Sequence, residues 1–150
     1  MKSVPNIVNF DPYLDAERVY TRIRDEFLKY GRLIIAFDFD DTIFNTHHNE
    51  GWHYDKVIQL LQRWRPYAYM ICWSASTEAR YPKMRDYMEW FEIPCDAINA
   101  NAPWIEERGR KIYANIYLDD RAGMNTSYWA LERLISEIEE GKYVSTRDLC

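Results

Sequence analysis

"IIAFDFDDTIFNT", residues 34 to 46, decides the fold. "RLIIAFD", residues 32 to 38, carries a continuous apolar run too short for a buried helix, so it reads as a central strand covered on both faces. Asp38, Asp40 and Asp41 follow at once. An unpartnered carboxylate is costly to bury, so these three must be solvated turn formers or ligands gathered round a cation.

Similar apolar runs recur along the chain. "AYMICWS" (68–74) reads as a second buried strand, "CDAINAN" (95–101) as a shorter third and "ANIYLDD" (114–120) as a fourth. Helical spacing separates them. Ala16, Val19, Tyr20, Ile23, Phe27 and Tyr30 mark an N-terminal helix over 14–30, with Gly31 as its cap. Tyr54, Val57, Ile58, Leu61 and Trp64 mark a second helix, ended by Pro66. Met84, Tyr87, Met88 and Phe91 follow Pro82 in a third, and Tyr128, Leu131, Ile135 and Ile138 make a last one before Gly141. Residues 43–52 read as a loop. Strands alternating with helices predict an α/β fold with a parallel sheet and helices on both faces.

The chain has 150 residues, the size of one compact domain, and its apolar fraction of 47% excludes disorder. With no repeat or linker-like tract, one domain over residues 1–150 is expected: an extra N-terminal helix within 1–31, a core over 33–121, and a C-terminal helix and tail over 122–150. A formal charge of -5 argues against a broad nucleic-acid or membrane footprint, though not against nucleic acid as a substrate. Cys72, Cys95 and Cys150 are odd in number and scattered, which fits a reducing cytoplasm. "MKSVPNIVNFDPYLD" has no apolar leader core, and no stretch approaches a membrane span.

In open parallel sheets, ligands bind beyond the carboxyl ends of the strands. The residues there are Asp38–Thr42, Ser74–Ser76, Asn99–Asn101 and Asp119–Arg121. Carboxylates at two neighbouring strand ends repel one another unless a cation lies among them. All-oxygen ligation suits a hard ion, which predicts Mg²⁺ and, through it, a phosphorylated substrate.

The ordered set resembles the haloacid dehalogenase (HAD) superfamily. "DFDDT" matches its first signature, DxDxT. Ser74 ends a hydrophobic strand as the second requires, Lys111 fits the third, and "LDD" at 118–120 fits the fourth. "INANAP…RKIYANIYLDDRA" further resembles small HAD-like hydrolases of bacteria and phages. The resemblance implies a three-layer, Rossmann-like HAD domain with strand order 4-1-2-3. It implies that Asp38 is the nucleophile, forming an aspartyl-phosphate, and that Asp40 is the acid and base, contributing its backbone carbonyl to the metal. Such an acid is expected to have a raised pKa from burial near other carboxylates. Thr42 would orient the loop at the phosphate and Ser74 hold the phosphoryl group, while Lys111 balances its charge. Asp119 would bind Mg²⁺, with Asp120 behind it. Dehalogenases lack the second aspartate, so Asp40 favours a Mg²⁺-dependent phosphatase.

Asp41 occupies a slot often filled by glycine in that family and reads as a turn residue. Ser76 competes with Ser74, and Arg110 and Lys83 compete with Lys111, with surface solvation the common fate of any one lysine. His47, His48 and His53 lie in the loop and lack a matching fourth zinc ligand. Trp64, Trp73, Trp90 and Trp104 show no stacking pattern and are expected in the core. Neither the Thr42–Ser74 interval nor the Ser74–Lys111 interval has room for a cap domain. An open pocket suits a bulky phosphorylated substrate, or cover by a second subunit of a homo-oligomer, for which the extra helix is a candidate interface. Two other classes compete: a receiver-like phospho-acceptor, disfavoured by "NANAP" at the third strand end, and a silent Mg²⁺/phosphate-binding module.

Overall fold

The computed structural model describes residues 11–143. Residues 1–10 and 144–150, Cys150 among them, lie outside them. The elements run α1 (Ala16–Tyr30), β1 (Leu33–Phe37), α2 (Asp55–Trp64), β2 (Ala68–Cys72), α3 (Tyr81–Trp90), β3 (Ala97–Ile98), β4 (Ile116–Leu118) and α4 (Met124–Glu139). The sheet is wholly parallel, in the order β3-β2-β1-β4, which from the opposite edge is the expected 4-1-2-3. β1, all five residues buried, is central because its side chains meet apolar cover on both faces.

The faces are covered unequally. Leu33, Ile35 and Phe37 point into one large core with Tyr20, Ile23 and Phe27 of α1, Leu60, Leu61 and Trp64 of α2, Met84 and Met88 of α3, and Leu131, Leu134 and Ile135 of α4. Ile34, Ala36 and Ile71 face the other way, toward Ala102, Ile112 and Ala114. Helices were expected on both faces; all four lie on one. The right-handed β1–β2 and β2–β3 connections keep α2 and α3 together, while the return from β3 to β4 must pass the opposite face. That return, residues 99–115, carries Pro103, Gly109 and the charged run "EERGRK", which offer no helical stripe. An irregular strap therefore forms the third layer.

α1 packs onto the fold's own core. Asp15 caps it, accepting from the Glu17 N–H, and left-handed Gly31 (φ 76°) ends it. Its apolar stripe is spent on the fold's own core, against β1 and α4. The strap is tied down by Asn115, which is buried. Its Oδ1 accepts the Ile34 N–H at 2.6 Å, its N–H donates to the Ile34 carbonyl at 2.8 Å, and its Nδ2 donates to Glu26. Among the tryptophans only Trp64 is fully buried. Trp73 is half-buried, while Trp90 and Trp104 are 82% and 42% exposed, contrary to the core expectation.

No helix among the described residues is long and apolar enough to cross a membrane.

Candidate active site at the carboxyl ends of the strands

Register builds the site. Phe37 pairs with both Cys72 and Leu118, and Cys72 with Ile98. One residue further, Asp38, Trp73, Asp119 and Asn99 leave their four strands side by side, with Ser74 next beyond Trp73. The Asp38 N–H donates to the Leu118 carbonyl at 2.8 Å, extending the ladder to the first aspartate.

Asp38, Asp119 and Asp120 each offer a carboxylate oxygen, and the three oxygens lie within 4.8 Å of one another. Asp120, expected behind Asp119, thus stands in the same cluster. Burial, then a hydrogen bond with Asp120 and the charge of Asp119, push the Asp38 carboxyl up to about 7. Three crowded, oxygen-only donors suit a hard divalent cation, and the raised Asp38 proton affinity is what a cation would relieve.

That crowding has a sign. Folded Asp38 keeps its proton up to about pH 7, whereas the unfolded carboxyl loses it near 3.8. Between those values the folded state binds more protons, so the contribution to stability falls as pH rises. Thermal melts of metal-free protein are expected to show Tm declining from about pH 4 to about pH 7 and then levelling in this component. Mg²⁺ at the upper pH is expected to restore it. A Tm indifferent to Mg²⁺ there would mean that the three carboxylates do not share a cation.

The loop after β1 turns on Asp41, whose φ of 57° lies in the left-handed region that Asp tolerates and that explains its glycine-like slot. Its carboxylate is taken by Tyr54 Oη at 3.1 Å and by His47 Nδ1 at 2.7 Å, which fastens the loop to the start of α2. Asp41 is a turn residue, as read. His47, His48 and His53 are exposed. Thr42, expected at the phosphate, is fully buried and links the two acidic strand ends: its Oγ1 donates to Asp120 Oδ1 at 3.4 Å and accepts the Asp120 N–H at 3.3 Å.

Ser74 is held through its backbone by Asn99, whose Oδ1 accepts the Ser74 N–H and whose Nδ2 donates to the Ser74 carbonyl, both at 2.7 Å. Its Oγ accepts the Ser76 N–H at 3.1 Å. Lys111 is exposed, with Nζ 5.3 Å from the centre of the Tyr117 ring. No ion pair joins it to the aspartates among the described residues. With Trp73 and Asp119 it lines an open cavity of about 670 Å³ beside the cluster. Arg110 and Lys83 are exposed as well.

Asp40 departs most from expectation. Its carboxyl is pushed down, not up, because the Arg80 guanidinium donates to it; Thr46 adds a further hydrogen bond. Arg80 Nη1 reaches Oδ2 and Nη2 reaches Oδ1, each at 2.8 Å, and Thr46 Oγ1 donates to Oδ1 at 2.6 Å. Arg80 was missed because no motif reads it. The available signal was an arginine just past the second strand end, near carboxylates that lack a counter-charge.

No protein-family model and no curated protein matches the chain. A solved structure of a conserved protein from Bacteroides thetaiotaomicron superposes with a TM-score of 0.55 at 21% identity, covering 79% of this chain and 97% of that one. At that identity the likeness shows a shared α/β fold.

Proposed function

We propose that the protein is a phosphohydrolase of the HAD type that works through an aspartyl-phosphate, with Mg²⁺ held by Asp38, Asp119, Asp120 and the backbone carbonyl of Asp40. The observation that carries the reading is the meeting of the β1 and β4 strand ends, where three carboxylate oxygens lie within 4.8 Å of one another. Bound Mg²⁺ would supply neutralisation of charge between nucleophile and phosphate dianion. An Asp38 oxygen attacks phosphorus, the ester P–O bond breaks, and Asp40 gives a proton to the departing oxygen. Asp40 then takes a proton from the water that attacks the aspartyl-phosphate, which releases inorganic phosphate and restores Asp38. Ser74 is suited to hydrogen-bond the phosphoryl oxygens, and Lys111, on its long stem, to bring a compensating charge. The open cavity beside Asp119 suits a bulky ester. Cys72 and Cys95 are free thiols, which agrees with a cytoplasmic setting.

A second reading, Mg²⁺ and phosphate binding without turnover, is favoured by one observation: Arg80 and Thr46 already occupy Asp40. Hydrolysis of p-nitrophenyl phosphate separates the two. Turnover is expected with Mg²⁺, is expected to vanish with EDTA, and is expected to fall at least about 100-fold in Asp119→Asn through weakened metal binding. Turnover that survives EDTA would reject the mechanism. Saturable Mg²⁺ binding with no turnover of any ester would leave the binding module.

A further inference from the structure

We infer that Arg80 is a positioning residue that fixes the Asp40 carboxylate so that one oxygen, Oδ2, faces the reacting ester. The inference rests on the phosphohydrolase reading and adds a residue that no motif supplies.

An ionised carboxylate has about four lone-pair sites, two on each oxygen. In Asp40, Oδ1 accepts from both Arg80 Nη2 and Thr46 Oγ1, whereas Oδ2 accepts only from Arg80 Nη1. One lone pair is therefore left over, and it is on Oδ2. The two-point guanidinium–carboxylate contact sets the plane of the group as well as its place, which a lysine could not do. Arg80 is itself over-determined. Its Nη1 also donates to Ser76 Oγ at 2.7 Å, and its guanidinium lies 5.1 Å from the Phe39 ring centre and 6.0 Å from that of Phe44. Phe39 sits between the two reacting aspartates in sequence and is buried. One residue thus ties the second strand end to the first and orients the only side chain of the site that must both give and take a proton. A shift of about 1 Å in such a group costs on the order of 100-fold.

The test uses two esters. p-Nitrophenolate leaves without a proton, whereas an alkoxide from an alkyl phosphate needs one in the transition state. In Arg80→Ala, kcat/KM for an alkyl phosphate is expected to fall about 10- to 100-fold more than kcat/KM for p-nitrophenyl phosphate. Asp40 must also deprotonate the attacking water, so kcat on the aryl ester is expected to fall and a burst of p-nitrophenolate to appear as phosphoenzyme accumulates. Loss of structure would move neither the ratio nor the burst in this way. Arg80→Lys, which keeps the charge and loses the fork, is expected to show a smaller change in the same ratio. Adding Arg80→Ala to Asp40→Asn is expected to cost little more than Asp40→Asn alone, because the group being positioned is gone. Equal losses of kcat/KM on both esters would mean that Arg80 grips the phosphate, which overturns the inference and leaves the phosphohydrolase reading standing. If Asp40→Asn spares alkyl ester hydrolysis, the assignment of Asp40 falls and the role of Arg80 falls with it.

Discussion

Asp38→Asn is expected to abolish turnover and, at the same time, to stabilise the metal-free protein. The substitution is nearly isosteric and removes both the charge of the proposed nucleophile and one of three crowded carboxylates. Loss of a nucleophile is expected to lower kcat by at least about 1,000-fold. Folding pulls the other way. Burial and the neighbouring Asp119 and Asp120 oppose ionisation of Asp38, and an amide has no charge to oppose. A gain on the order of 1 kcal/mol at pH 8 is expected, with the pH-dependent decline of Tm much reduced. Urea unfolding of metal-free wild type and variant, beside hydrolysis of p-nitrophenyl phosphate with Mg²⁺, checks both halves. Retained turnover would remove Asp38 as nucleophile, and a destabilised variant would show that the carboxylate is held by favourable contacts instead of being tolerated against repulsion.

Trp64→Ala carries the largest expected loss of stability. Trp64 is fully buried, donates its Nε1–H to the Leu131 carbonyl at 3.1 Å, and meets Phe27 edge-on with ring centres 6.0 Å apart. It joins α2 to α1 and α4 beneath the sheet, so its removal opens a cavity that three elements line. A cost of about 3–5 kcal/mol is expected, which for a chain of this size lowers Tm on the order of 10 °C. Trp90→Ala supplies the contrast. Trp90 is 82% exposed on α3, and its loss is expected to stay within about 0.5 kcal/mol. Comparable losses in the two variants would contradict the burial pattern.

The fold was legible where periodicity was long. β1 and β2 are unbroken apolar runs, α1 and α4 carry clear stripes, and each was placed to within a few residues. β3 shrank to Ala97–Ile98 because little apolar sequence is available there to pair with β2. The one-sided helix arrangement was not legible, since handedness decides which face a connection takes while composition decides whether it becomes a helix. At the site, the meeting of Asp38, Asp119 and Asp120 was legible because they follow the ends of neighbouring strands, which the sheet brings level. Lys111 was read from order along the chain, and it sits on an irregular strap whose path no spacing specifies. The partners of Arg80 and Asn99 were beyond reach for a different reason. Their roles depend on side-chain partners 40 and 25 residues away, and such pairings leave no periodic mark. The pKa of Asp40 was misjudged on the same ground: proximity to carboxylates was visible in the sequence, and its guanidinium partner was not.

The level row of strand ends also acts as a proofreader of folding. Side chains alternate between sheet faces, so shifting β1 by one residue against its neighbours exchanges every inward and outward position. In such a misthreaded sheet, the position of Phe37 between β2 and β4 would be taken by Asp38, and a carboxylate would enter the greasy interior at a cost of several kcal/mol. Misthreading the other way would drag Phe37 into the acidic mouth. The residues that make the site dangerous to bury therefore police the alignment of the strands that build it.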